Sequence, residues 1–129
     1  MVQKRMNKLN GLRGEVIQPA YEGEERPDLL IVSWGSTRGS VEEAASSLRE
    51  KTRRVATLHF SQVWPMAPEQ FLGHLQAAGE VVCVEGNATG QLARLIRRES
   101  GFEIRKKILR YDGLPITPEW ILRELYRAT

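Results

Sequence analysis

The stretch DLLIVSWGSTRGS, residues 28–40, decides the fold: an apolar run from Asp28 to Trp34 enters a glycine-bounded turn, Gly35 to Gly39, and then an amphipathic helix opening at Ser40. The same design returns in EVVCVEGNATGQ, residues 80–91, where Glu80 to Glu85 feeds the turn Gly86 to Gly90 and a helix from Gln91. A buried strand joined to a helix through a glycine turn is the building unit of a parallel sheet. In open sheets of this kind the turns at the carboxyl ends of the strands form the crevice where ligands and partners bind. The two turns therefore direct the search for function to one edge of the molecule.

Outward from these units, Leu29 to Val32 are continuously apolar, which suits a strand covered on both faces. Ser40 and Glu43 have the spacing of a capping box, with Val41, Ala44, Ala45 and Leu48 as the apolar face behind it. Arg54 to Phe60 reads as the next strand. Pro65 and Pro68 break the chain, Pro68 as a first helical residue, and Phe71, Leu72 and Leu75 form that helix's buried face before Gly79. Val81 to Val84 is the most apolar strand and is placed centrally. Phe102 to Arg110 carries charges suited to a protected sheet edge. Thr117 and Pro118 introduce a last helix with Ile121, Leu122 and Leu125 inward. Glu15 to Ala20 offers a short extra edge strand, and Tyr21 to Pro27 an acidic surface loop. The alternation predicts a three-layer α/β/α sandwich.

Length and composition agree with one folded unit: 129 residues, 41% hydrophobic and 27% charged. No apolar run approaches a membrane span and no signal-peptide core follows Met1, so a cytoplasmic setting without membrane contact is expected. The single cysteine, Cys83, lies in an apolar run and reads as a buried thiol rather than a nucleophile. The net charge of +3 belongs to the leader: Lys4, Arg5, Lys8 and Arg13 precede Gly14 with no acidic residue among them. Val2, Met6 and Leu9 give that leader, residues 1–14, a helical apolar stripe. The basic cluster from Arg94 to Arg110 has only Phe102 and Tyr111 as nearby aromatics, so a solvated face explains it better than nucleic acid does.

The turn GSTRG admits two readings. Helix-start amides, the Ser36 and Thr37 hydroxyls and Arg38 could hold an anion; alternatively, glycine simply permits a tight turn and Arg38 faces a neighbour. It lacks the P-loop lysine and the dinucleotide spacing. His59 and His74 have no companion ligands, so no metal site is expected. Glu85 is the one carboxylate placed like a catalytic group, yet it could equally cap the Asn87 turn or meet an arginine across an interface. No catalytic residue is assigned. The candidates for an interface or anion site are Ser36, Thr37, Arg38, Glu85, Asn87 and Thr89, with Ser36, Thr37, Arg38, Asn87 and Thr89 expected along one crevice.

Four blocks, DLLIVSWGSTRGSVEEA, LHFSQVWPMAPEQF, VVCVEGNATGQLARLIR and ILRYDGLPITPEWI, in this order and spacing, resemble the C-terminal domain of the alpha subunit of 2-oxoacid:ferredoxin oxidoreductases, particularly the 2-oxoglutarate type. The leader QKRMNKL resembles the segment joining that domain to the preceding thiamine-diphosphate domain. Gly86 departs from the family's usual glutamine, and Met66 and Ala67 from Phe-Pro. The resemblance implies a transketolase C-terminal-like domain over residues 15–129, with a mostly parallel sheet of about five strands and one antiparallel edge strand. It implies an accessory, subunit-packing role. The complete enzyme would decarboxylate a 2-oxoacid oxidatively to an acyl-CoA and reduce ferredoxin, using thiamine diphosphate, magnesium, iron–sulfur centres and CoA. None of these is expected on this chain. The partners implied are the remaining alpha-subunit domain, the beta subunit, ferredoxin through the complete enzyme, and a second copy of the chain. The competing reading is a freestanding anion- or nucleotide-binding module using the Gly35–Gly39 and Gly86–Gly90 turns.

Overall fold

The computed structural model describes residues 17–51, 54–63 and 66–127. The leader, residues 1–14, and Pro65 lie outside the described residues, as do Glu15 and Val16 of the expected edge strand. In chain order the elements are β1 (Ala20–Glu22), β2 (Leu29–Trp34), α1 (Arg38–Arg49), β3 (Val55–Phe60), α2 (Leu72–Ala77), β4 (Glu80–Glu85), α3 (Gln91–Ser100), β5 (Lys106–Leu109) and α4 (Pro118–Arg127). The strands form one sheet in the order β1-β3-β2-β4-β5. Among the described residues only the β1–β3 pair is antiparallel. This is the mixed α/β/α sandwich that the alternation and the resemblance predict.

The alternation of side chains along each strand divides the core in two. Leu29, Ile31, Val55, Val82 and Val84 face α1 and α4, which supply Val41, Ala44, Ala45, Leu48, Ile121 and Leu125. Leu30, Val32, Leu58 and Cys83 face the other side, where Phe71, Leu75, Leu92, Ala93 and Ile96 cover them. Coverage on both faces is why β2 and β3 read as apolar runs without alternation. Each large side chain buried this way stabilises the fold by roughly 1.5–3 kcal/mol.

Five local expectations need correction. The edge strand falls at Ala20–Glu22, with Tyr21 opposite Leu58 of β3, so Tyr21 and Glu22 leave the expected acidic loop. Tyr21 is drawn in by stacking on His74, with ring centroids 4.0 Å apart. Gly23 follows with φ +133°, and a Cβ there would stand 2.6 Å from that of Ala56, so no larger residue fits. Ser40 is not an N-cap: the chain makes one 3-10 turn, Gly35–Thr37, α1 begins at Arg38, and the Ser40 hydroxyl donates to the Ile116 carbonyl at 2.7 Å. A tertiary partner has taken the group that would have capped. Pro68 opens a 3-10 turn, Pro68–Gln70, and α2 starts only at Leu72. Finally, β5 pairs only over Lys106–Leu109, and β2 rather than β4 is the middle strand.

The edge assigned to the charged strand is the observed one. Lys106 of β5 pairs with Glu80 of β4, and Lys107 stays exposed. From β2 the chain runs through α1 to β3 on one side, whereas from β4 it runs through α3 to β5 on the other. Since α1 and α3 also cover opposite faces, the carboxyl ends of β2 and β4 form the topological switch point.

Candidate functional site

Glu85, the last residue of β4, sits at that switch point with none of its surface exposed. Five donors converge on its carboxylate. Oε1 accepts from the Trp34 indole at 3.1 Å, the Asn87 side-chain amide at 3.1 Å and the Leu92 backbone N–H at 2.6 Å. Oε2 accepts from the Ala93 N–H at 3.2 Å and the Cys83 thiol at 3.4 Å. A buried carboxylate is costly unless it is satisfied; here backbone amides at the positive end of α3 and three side chains do so. Burial pushes the Cys83 thiol well above its ordinary value, with the Glu85 charge adding to the effect. The thiol therefore acts as a donor and not as a thiolate.

Asn87 completes the helix start. Its Oδ1 accepts from the backbone N–H groups of Thr89, Gly90 and Gln91 at 3.1, 2.7 and 3.2 Å. Gly90 has φ +65°, the left-handed conformation that aims these amides inward. Glu85 and Asn87 thus consume the amides from Thr89 to Ala93. The resulting loop is a capped helix terminus built by two side chains that precede the helix.

The other turn contributes its surface to a crevice. Thr37 Oγ1 donates to the Trp34 carbonyl at 2.9 Å, closing the 3-10 turn, while Ser36 is exposed. One lobe of about 310 Å³ runs between Trp34, Gly35, Ser36, Thr37, Gly86, Asn87 and Gln91. A second, of about 520 Å³, shares Ser36, Thr37 and Gly86 with it and continues along Arg110, Tyr111 and Gly113–Ile116. Ser36, Thr37 and Asn87 are therefore brought together as expected from the two parallel units. Arg38 is not among the lining residues: its Nε lies 2.9 Å from Glu42 Oε1 on its own helix. The Thr89 side chain is likewise absent from the lining, and Glu85 lies beneath the turn as its anchor.

The segment from Arg110 to Ile116 is the part of the site that sequence reading passed over. Arg110 receives the end of β4 through its backbone N–H, 3.0 Å from the Glu85 carbonyl. Its Nε pairs with Asp112 Oδ1 at 3.1 Å, and its guanidinium lies 4.9 Å from the centre of the Trp120 ring. The Leu114 N–H also donates to Asp112 Oδ1, at 3.1 Å. These bonds, first the Leu114 amide and then Arg110, hold the Asp112 carboxyl below its ordinary value. The available signal was Asp112-Gly113 directly after a basic strand end, which reads as a turn and says nothing of the crevice beside it.

The histidines lie elsewhere. His59, buried on β3, has Nδ1 2.9 Å from Ser33 Oγ of β2, and His74 stacks on Tyr21. The donor set does not fit the groups that the resemblance implies for a complete enzyme. An iron–sulfur cluster needs several thiolates, and the sequence has one buried thiol. A metal-bound diphosphate needs converging oxygen ligands, and among the described residues no group of three His, Cys, Asp or Glu side chains is placed to hold a metal ion.

A parallel sheet flanked by two helices on each face, with one antiparallel edge strand and its crevice at the switch point, defines a ligand- or partner-facing α/β module. Residues 20–126 match the family described as "Transketolase, C-terminal domain", and the chain belongs to that family. Within it the chain is similar to alpha subunits of 2-oxoacid:ferredoxin oxidoreductases. It is 31% identical over 121 residues to the alpha subunit of 2-oxoacid:ferredoxin oxidoreductase 1 of Aeropyrum pernix, a match covering 90% of this chain and 19% of that one. The solved 2-oxoglutarate:ferredoxin oxidoreductase of Magnetococcus marinus, with 2-oxoglutarate, coenzyme A and succinyl-CoA bound, superposes with TM-score 0.88 at 31% identity, covering 98% of this chain and 22% of that one. The alpha chain of a probable 2-oxoacid ferredoxin oxidoreductase from Thermoplasma acidophilum gives TM-score 0.60 at 30% identity, over 86% of this chain and 96% of that one. The chain thus spans about a fifth of the curated relatives it matches, and nearly the whole of the Thermoplasma chain.

Proposed function

We propose that this chain is the C-terminal, subunit-packing domain of a 2-oxoacid:ferredoxin oxidoreductase alpha subunit, without catalytic activity of its own. The observation that carries this reading is the likeness over 98% of the chain, at 31% identity, to one part of the Magnetococcus enzyme. The complete enzyme would carry out thiamine-diphosphate-dependent oxidative decarboxylation of a 2-oxoacid to an acyl-CoA, with reduction of ferredoxin. The preceding alpha-subunit domain and the beta subunit would be the direct partners, in the cytoplasm. Among the described residues no helix is long and apolar enough to cross a membrane.

The geometry supports a packing role because the functional end of the sheet is built for rigidity. Glu85 ties β2, β4 and α3 together, and the crevice above it is partly open to solvent, unlike the enclosed, largely apolar pockets that hold small molecules. The alternative of an anion- or nucleotide-binding module loses its main donors at the Gly86–Gly90 turn, whose amides already donate to Asn87 and Glu85. Reconstitution tests the reading: the purified chain should show no 2-oxoacid-dependent reduction of a viologen dye. Activity should appear only when the chain is combined with the remaining alpha-subunit domain and the beta subunit. Turnover by the chain alone would overturn it, as would full activity of the remainder without the chain.

A further inference from the structure

We propose that the open edge of β5 is a docking site for an extended, acidic polypeptide segment, which adds a further strand to the sheet and sets its carboxylates against Arg105 and Lys107. The inference goes beyond the packing role proposed above and does not depend on it.

The first observation is an unfilled hydrogen-bonding edge. Among the described residues β5 stands last in the sheet and pairs with β4 alone. The Arg110 N–H points back at the Glu85 carbonyl, so alternation turns the N–H and C=O groups of Lys107 and Leu109 outward. Main-chain groups so placed are a template for an incoming strand.

The second observation is charge. Lys107 lies opposite Cys83, whose side chain faces α3, so Lys107 and, two residues earlier, Arg105 belong to that face of the edge. Arg94 and Arg98 stand one turn apart on α3 itself. All four side chains are exposed, and among the described residues none of them has an ion pair or a hydrogen bond. The nearby carboxylates of Glu80 and Glu103 are engaged by Lys106 and Arg97. The complementary occupant is therefore anionic.

The same edge selects against other occupants. The β5 of a second copy brings the same charges and is repelled. A phosphate backbone would meet Glu99 and Glu103 among the cations, and Phe102, the one ring between residues 94 and 107, packs against the core and is not free to stack bases. A cavity of about 330 Å³, lined by Leu75, Ala78, Val81, Phe102, Arg105 and Lys106 among others, opens at the amino end of β5. It gives an apolar side chain of the incoming segment a place beside the strand.

The probe is a synthetic peptide alternating glutamate with valine, titrated into the 129-residue chain while NMR follows the backbone amides. Shifts and slowed hydrogen exchange are expected at Lys107 and Leu109, with binding weakened about tenfold between about 50 and 500 mM salt. The lysine–valine counterpart should leave the spectrum unchanged. Arg105→Glu combined with Lys107→Glu should weaken binding about tenfold, whereas Arg123→Glu, exposed on α4, should bind like wild type. Lys107→Pro removes an outward N–H without touching the β4 ladder and should bind about fivefold more weakly than Lys107→Ala. If circular dichroism finds the proline variant poorly folded, slowed exchange of the wild-type Leu109 amide reads the same edge pairing. No shift at about millimolar peptide, shifts confined to other elements, or undiminished binding by the charge-reversed variant would overturn the docking site. Tighter binding of a duplex oligonucleotide than of the acidic peptide would assign the rim to nucleic acid and overturn the polypeptide occupant.

Discussion

The indole N–H of Trp34, at the end of β2, donates to Oε1 of Glu85, at the end of β4, over 3.1 Å. The bond spans the two strands whose helices leave on opposite faces, so it joins the two halves of the sandwich at their point of divergence. Glu85 carries this link together with the start of α3, so one buried carboxylate joins the end of β2 to the Gly86–Gly90 turn.

Removing that carboxylate should therefore cost far more than a typical substitution. Glu85→Ala leaves the Leu92 and Ala93 amides and the Trp34 indole without their acceptor, and a loss of about 3 kcal/mol or more is expected. Glu85→Gln keeps the shape but turns an amide N–H toward donors, and should lose about 2 kcal/mol. Urea titration of the chain measures both. A Gln variant within about 0.5 kcal/mol of wild type would show that the carboxylate is not the anchor.

Cys83 provides an internal reporter of opening. Its side chain is fully buried and its thiol is held well above its ordinary value by burial and by Glu85, so native protein should resist thiol reagents. The modification rate in increasing urea should follow the population of unfolded chain. Rapid labelling in native buffer would mean that the β4–α3 junction opens locally.

How much of this was legible in the sequence follows from which contacts are local. Glu80–Glu85 announces itself because both faces are covered and every interior residue is apolar. The pairing of Tyr21 with Leu58 is set by β3 and His74, which a reading of YEGEERP alone cannot see. Ser40 carries a genuine capping pattern, yet the Ile116 carbonyl from the far end of the chain claims its hydroxyl. The two glycine turns located the crevice, and parallel winding brought Ser36, Thr37 and Asn87 to it. Arg110 stayed hidden because its place depends on Trp120 and Asp112 folding back over β5, a tertiary arrangement without a sequence period.

Acid should expose a second buried polar pair. His59 is held below its ordinary value, first by burial and then by the Arg38 charge, with Glu42 opposing. The unfolded chain takes up a proton near the ordinary value of about 6.5, and the folded chain does so only at lower pH. Between those limits the unfolded state binds more protons, so stability falls as pH falls through this window and is level above it. Urea midpoints from pH 7.5 to 5.5 should decline in wild type, with a flatter course in His59→Gln, which can still meet Ser33. Equal slopes for the two proteins would assign the decline to other groups.

Asn87 gives the sharpest discrimination, because it separates a cap from a donor. Asp is ordinarily as good an N-cap as Asn, and an Asp at this position could still accept from Thr89, Gly90 and Gln91. However, the Asn87 Nδ2 donates to Glu85 Oε1 at 3.1 Å, and an oxygen in its place sets two carboxylates against each other with no proton between them. Asn87→Ala should lose about 1–2 kcal/mol, the worth of a cap. Asn87→Asp should lose at least as much at neutral pH, about 2 kcal/mol, despite keeping the acceptor. Its deficit relative to wild type should shrink as pH falls toward 5, since a proton shared by the pair restores the missing donor and the folded state then binds more protons than the unfolded one. Thermal unfolding of the two variants at pH 7 and pH 5 makes the comparison. An Asp variant as stable as wild type at pH 7 would mean that the Asn87–Glu85 bond is incidental and that the turn is held by its backbone amides alone.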